Sequence, residues 1–288
     1  ASGPLGETVR YAGGPVLLFG GPYSNLLATL AMQAEAARLG MPPERVICTG
    51  DVVAYAAEPV ETVRLIRDWG IRTVMGNCEE SLGFAAQDCG CGFEAGSDCD
   101  LLSRRWYAYS DARLGGDDRA WMRGLPRSII FTLAGRRFAV VHGSADEINE
   151  FVFETSDDAS KRAGFDALGV DAVIGGHAGI PFSQLIDGRL WHNAGVIGMP
   201  ANDGTARVWY SMLRVTDAGI AISRHALSYD HAAAAAAMRA ASLPEGYAAA
   251  LETGRWPNMD VLPPQERARQ GRPLAETRLL WPHSTVAA

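Results

Sequence analysis

The sequence predicts a layered α/β fold, and two observations carry that prediction. From Val16 to Gly198, short β-branched or aliphatic runs alternate with helix-like stretches, as in a protein that stacks helices on sheets. Nearly every run is followed by Gly beside a polar side chain. The runs are Val16-Leu17-Leu18-Phe19, Arg45-Val46-Ile47-Cys48, Arg72-Thr73-Val74-Met75, Phe138-Ala139-Val140-Val141, Asp171-Ala172-Val173-Ile174 and Arg189-Leu190-Trp191-His192. Leu26 to Leu39, rich in Ala and Leu, and Val60 to Trp69 separate the first three runs, and both suit crossover helices of βαβ units. The exits read Gly20-Gly21-Pro22-Tyr23, Gly50-Asp51, Gly76-Asn77, His142-Gly143, Gly175-Gly176-His177 and Asn193-Ala194-Gly195. Ligands of open α/β sheets bind outside the carboxyl ends of the strands, where Gly lets the backbone turn sharply. The exits therefore deliver Asp, Asn, His and His to one edge.

Residues 84–127 interrupt the alternation with clustered cysteines, the aromatic stretch Trp106-Tyr107-Ala108-Tyr109 and a helical segment ending at Leu125-Pro126, which reads as an inserted cap. After Val215 a strand-like segment, Gly219 to Ser223, leads to the Ala-rich stretch Ala232 to Ala241 behind Asp230, and to a short helix near Tyr247 to Glu252. The expected organisation is one α/β domain over 1–225 and a helical extension with a Pro- and Trp-containing tail over 226–288. Trp256-Pro257, Pro263-Pro264 and Trp281-Pro282 make that tail a strap packed on the domain.

The chain has 48% hydrophobic and 20% charged residues, and no apolar run approaches the ~18 residues of a membrane span. A net charge of −7 offers no general basic field for nucleic-acid backbones. Lys161 is the one Lys, so a phosphate contact is expected from Arg. The five cysteines, Cys48, Cys78, Cys89, Cys91 and Cys99, form no disulfide framework, and the start, Ala1 to Gly6, has no secretory character. Both point to a reducing cytoplasmic setting.

The order of the strand-exit motifs resembles the calcineurin-like metallophosphoesterase superfamily, in particular its small bacterial phosphodiesterase branch. The likeness covers roughly Val16 to Gly198 and implies a four-layer α/β/β/α sandwich. Gly50-Asp51 matches the second motif, Gly76-Asn77-Cys78-Glu79 the third with Cys in the place of His, Val141-His142-Gly143 the fourth, and Gly176-His177-Ala178-Gly179 the fifth without its final His. Phe19 to Leu26 holds the place of the first, with Gly21 and Tyr23 where Asp and His belong. Carried over, the resemblance implies that Asp51, Asn77, His142 and His177 bind one metal ion. The replaced positions Gly21, Tyr23 and Gly179 all belong to the other. This oxygen and nitrogen set suits Mn, Fe, Zn or Ni better than Ca or Cu(I).

Cys78, Cys89, Cys91 and Cys99 have the number of thiolates that a zinc site or an iron–sulfur cluster requires, although C-x-C is not the usual spacing; small buried hydrophobes are the alternative. Cys78, next to Asn77, is expected to bring its sulfur to the reaction centre with a lowered pKa, as acid, ligand or nucleophile. Tyr23 is expected either to donate to a phosphoryl oxygen, to bind a ferric ion as phenolate, or to close the vacated hole. The implied activity is hydrolysis of a small phosphoester by water activated at one retained metal. Two rivals remain: redox or lyase-type chemistry with Cys78 and Tyr23, and a non-catalytic binding scaffold.

Overall fold

Strands that are apolar on both faces are stable only where both faces are covered. The structure, a computed structural model, describes residues 6–11, 13–94 and 96–283; residues 1–5, part of the start discussed above, lie outside the described residues. The strands are β1 (Glu7–Arg10), β2 (Val16–Phe19), β3 (Val46–Cys48), β4 (Arg72–Thr73), β5 (Ser128–Leu133), β6 (Arg136–Val141), β7 (Ala172–Gly175), β8 (Phe182–Ile186), β9 (Arg189–Asn193), β10 (Val208–Thr216), β11 (Gly219–Leu227) and β12 (Thr277–Pro282). The helices are α1 (Leu26–Arg38), α2 (Pro59–Trp69), α3 (Asn77–Gly83), α4 (Asp98–Asp111), α5 (Gly116–Arg123), α6 (Asp158–Leu168), α7 (His231–Ala240), α8 (Glu245–Thr253) and α9 (Pro264–Arg267).

Among the described residues the strands form two six-stranded sheets, ordered β1-β5-β6-β7-β9-β8 and β12-β11-β10-β2-β3-β4. Val16, Leu18 and Ile47 of one sheet meet Phe131, Phe138 and Ile174 of the other in a buried layer. The outer face of the second sheet packs Leu17, Phe19 and Val46 under Met32 and Ala36 of α1, Val63 of α2 and Ala235 of α7. Val141, Val173 and Trp191 cover the first sheet's outer face against Phe165 of α6. The architecture is therefore the four-layer α/β/β/α sandwich. Asn25 starts α1 by accepting the Ala28 N–H at 3.1 Å, and Asp230 starts α7 by accepting that of Ala233 at 3.0 Å. No helix among the described residues is long and apolar enough to cross a membrane.

The sheets hold strands beyond the runs read from the sequence. β12 comes from the tail and pairs antiparallel with β11, so that segment completes a sheet as well as strapping it. Its Trp281 is 2% exposed, lies edge-on to Phe138 at 5.7 Å and donates Nε1–H to the Gly188 carbonyl at 2.8 Å. Trp281→Ala should cost about 3–5 kcal/mol of stability, measured by denaturant unfolding. A cost below about 1 kcal/mol would mean the strand is dispensable.

His192 on β9 is buried, with Nδ1 at 2.8 Å from Ser183 Oγ, and burial lowers its pKa to about 4. The unfolded chain charges this ring near pH ~6.5 while the fold keeps it neutral. Its contribution is thus present above that pH and lost as pH falls toward 4. Replacing it in His192→Gln should flatten the stability profile over that range, and an unchanged acid slope would refute the assignment.

Candidate metal centre

Four side chains meet where the carboxyl ends of β3 and β4 in one sheet face those of β6 and β7 in the other. Asp51, Asn77, His142 and His177 each follow one of these strands, and all four are buried. His142 lies at the centre. Its Nδ1 is 2.7 Å from the Thr49 carbonyl oxygen, which can only accept, so Nδ1 carries the proton. Its Nε2 then faces Asn77 Oδ1 at 3.0 Å, Asp51 Oδ2 at 3.1 Å and His177 Nδ1 at 3.2 Å. Asn77 has no freedom to turn its amide, because Nδ2 donates to the Cys89 carbonyl at 2.9 Å. Four electron-pair donors therefore point at one another, and the ligand atoms of Asp51, His142 and His177 all lie within 4.8 Å. Such a cluster needs positive charge at its centre, and the donor set fits a divalent transition metal.

The charge balance of the site points the same way. Burial opposes charge on His142, but the Asp51 carboxylate and the Thr49 carbonyl outweigh it, so its pKa is raised. Burial also opposes charge on Asp51, yet the two His rings and the Cys78 N–H hold its pKa below the usual range. His177, disfavoured by burial and by the His142 ring, is lowered to about 3. At neutral pH the site presents an ionised carboxylate and a neutral His177 imidazole.

The backbone is bent to make this meeting. Asp51 and His177 both adopt φ of 56°, uncommon for residues with a side chain. Glu79 holds the turn in place: its buried carboxylate accepts N–H groups of Asp51 at 2.8 Å, Gly76 at 3.0 Å and Val53 at 3.2 Å. Burial, followed by the Asp51 charge, pushes its pKa up to about 7. A side chain at Gly76 would stand 2.3 Å from Asp51 Oδ1 and 2.7 Å from Glu79 Oε2, so only Gly fits. The sequence reading missed Glu79, although an acid three residues after a helix-starting residue is half of a capping-box signal, the half in which the acid accepts the cap residue's N–H.

The profile of the calcineurin-like phosphoesterase superfamily domain matches residues 28–217. The chain belongs to that superfamily. The matched span begins beyond Gly21 and Tyr23, the degenerate first motif. An uncharacterized protein of Methanocaldococcus jannaschii is 27% identical over 178 residues, 61% of this chain and 66% of that protein, so the likeness spans just under two thirds of the relative. Among solved structures, a metallophosphoesterase from Sphaerobacter thermophilus superposes with a TM-score of 0.64 at 23% identity, covering 84% of this chain and 99% of that one. A hypothetical protein from Pyrococcus horikoshii superposes at 0.70 with 15% identity and the same coverages. Both likenesses bear on the fold.

Where the superfamily places the other metal's ligands, this chain is packed with apolar groups. A side chain on Gly21, whose φ is +40°, would lie 2.6 Å from the Tyr23 ring and 2.7 Å from Val196, so the tyrosine occupies the space an Asp there would need. Gly179 lies under Trp256. Tyr23 stands edge-on to Tyr55 at 4.9 Å, which lies 4.7 Å from Tyr247. Burial first, and then the Asp51 charge, raises the Tyr23 pKa well above its ordinary value.

A cavity of about 70 Å³ opens onto Asp51 and His177 between Tyr23, Tyr55, Tyr247 and Trp256. No Arg or Lys among the described residues lines it. Lys161 is buried elsewhere, held by the carbonyls of Glu154 and Ser156 and by Gln184. Trp256 and Asn258 bring the tail into this wall, a role the strap reading did not contain.

The cysteines depart most from expectation. Cys89 and Cys91 are joined as a disulfide, so the four-thiolate zinc or iron–sulfur site does not form and the reading without disulfides is corrected. Cys99 is a free thiol that donates to Asn258 Oδ1 at 2.7 Å. Cys78 is 1% exposed within the apolar core and is not part of the cavity wall. Burial and the Asp51 charge push its thiol well up rather than down. It meets the site through its backbone, donating N–H to Asp51 Oδ1 at 3.2 Å.

Removing one oxygen acceptor in Glu79→Gln should loosen the Asp51 turn and weaken zinc or manganese binding by about tenfold to a hundredfold, read by calorimetry. Wild-type affinity would overturn this positioning role.

Proposed function

We propose that the chain hydrolyses a small phosphoester, using one divalent transition metal (Mn, Fe, Zn or Ni) held by Asp51, Asn77, His142 and His177. The convergence of Asp51 Oδ2, Asn77 Oδ1 and His177 Nδ1 on His142 Nε2 at 3.0–3.2 Å supports this reading most directly. Bound there, a metal lowers the pKa of a coordinated water and polarises a phosphoryl oxygen. The chain's own groups do the rest. The Thr49 carbonyl fixes the proton on His142 Nδ1 and so turns the Nε2 lone pair inward. The Asn77 amide is locked by Cys89 with its oxygen toward the centre. Tyr23, a neutral phenol on the cavity wall with Asp51, is assigned a hydrogen bond to a phosphoryl oxygen where the second metal's ligands are replaced. Cys78 is assigned the positioning of Asp51 through its N–H. Its sulfur lies away from the cavity, which removes the support for redox or lyase-type chemistry at that residue. Retention of all four donors speaks against a purely non-catalytic scaffold.

Protein purified without added metal should carry about one transition-metal ion per chain by elemental analysis. Variants Asp51→Asn and His142→Ala should lose most of it, together with at least about a hundredfold of kcat on a phosphoester panel. Full metal content and turnover in both variants would exclude this site.

A further inference from the structure

The cavity beside the candidate metal centre has the wall of a cation site. Tyr23, Tyr55, Phe93, Phe151, Tyr247 and Trp256 line it, and no Arg or Lys among the described residues does. Tyr55, Phe93, Phe151 and Trp256 are half-buried, so their rings keep open surface. Tyr23 and Tyr247 are 5% and 6% exposed, yet neither hydroxyl has a hydrogen-bond partner among the described residues. Buried polar groups are normally paired, and these two open on the cavity. The wall offers no charge to an anion, whereas its ring faces and phenol oxygens offer electron density to a cation.

The same character continues outward. The Phe151 ring stands 4.2 Å from that of His177 and 6.4 Å from that of Phe93, centroid to centroid, and so leads away from the centre. Both phenylalanines, with Cys99 and Val261, are shared with an outer recess of about 200 Å³. That recess carries the exposed carboxylates of Glu94 and Asp260, and neither is ion-paired among the described residues. Its volume exceeds the ~150 Å³ that accommodates a benzene ring. The inner cavity, at about 70 Å³, has room for a short chain only. In the recess an anion meets two carboxylates and no counter-charge, and a neutral group makes no use of them. A weakly hydrated cation uses both the rings and the charge.

We propose that the outer recess is a subsite for an alkylammonium group, and that the substrate is the phosphate ester of a short amino alcohol with a quaternary nitrogen. The phosphoryl group lies at the metal centre, the short carbon chain runs through the aromatic cavity, and the ammonium rests against Phe93 and Phe151 with Glu94 and Asp260 as its counter-charges. The substrate class rests on the phosphoester hydrolysis proposed above; the cation subsite does not.

The test uses the full chain loaded with manganese or zinc and two alcohols of one shape, choline and 3,3-dimethylbutan-1-ol, which differ only in a cationic nitrogen for a quaternary carbon. By calorimetry, choline should bind about tenfold more tightly or better. Phosphocholine should exceed 3,3-dimethylbutyl phosphate by a similar factor in kcat/KM, mainly through KM, read as phosphate release. Phe93→Leu keeps the apolar volume but removes a ring face, and should weaken choline about threefold, with Phe93→Trp restoring it. Glu94→Gln combined with Asp260→Asn should weaken choline about threefold and flatten the salt dependence of its binding. Metal content, melting temperature and affinity for the neutral alcohol should stay unchanged in these variants. Absent choline binding, or equal binding of the two alcohols, overturns the subsite while leaving phosphoester hydrolysis standing. Wild-type choline affinity in both the Phe93→Leu and the double variant overturns its placement in the recess. Choline binding without turnover of either phosphate ester overturns the substrate class and keeps the cation site.

Discussion

The structure is organised around one constraint: four polar ligand atoms are held in contact at the meeting edge of two sheets. His142 Nε2 faces a carboxylate oxygen, an amide oxygen and an imidazole nitrogen within 3.2 Å. Held this close, their negative ends repel unless a proton or a cation lies between them, so the arrangement persists only because the surrounding fold determines it. Thr49 fixes one proton, Cys89 fixes one amide, and Glu79 clamps three backbone N–H groups in the turns that carry Asp51 and Asn77. A cation relieves the repulsion, which makes metal affinity a property of the whole edge rather than of four side chains.

The vacated half of the site answers to the same physics with the opposite result. Around Gly21 and Gly179, the positions that the resemblance assigns to a second ion, Tyr23, Val196 and Trp256 fill the space. The outcome is an aromatic cavity on one side of a polar centre. No Arg or Lys among the described residues lines that side, which limits what an anionic ligand can leave uncovered there. The tail enters function at this point, since Trp256 and Asn258 wall the cavity while Trp281 completes a sheet.

Much of the fold was legible because strand and helix periodicity are local. The six aliphatic runs all became strands, and helices α1, α2, α7 and α8 fall within a few residues of the stretches read from composition. Strands outside those runs include β5 and β10, whose apolar and β-branched residues did carry a local signal. β8 and β9 are joined through Asp187-Gly188, with φ of 50° and 77°, a hairpin signature that was present and overlooked. β1 and β12 lie at sheet edges; β1 is mostly polar, and Leu279-Leu280-Trp281 of β12 lies in a segment read as a strap. Cys89 and Cys91 were misread because thiol count does not reveal pairing, which depends on how the loop closes.

The sequence by itself determined the layered architecture and the candidate metal set, because each of Asp51, Asn77, His142 and His177 follows a strand whose pattern is readable within a few residues. Tertiary structure alone decided what surrounds them. The Glu79 clamp, the burial of the Cys78 sulfur away from the cavity and the entry of Trp256 and Asn258 into its wall all depend on segments far apart in the chain meeting in space. Local spacing carries no information about such contacts, which burial and packing settle only when the sheets close on one another.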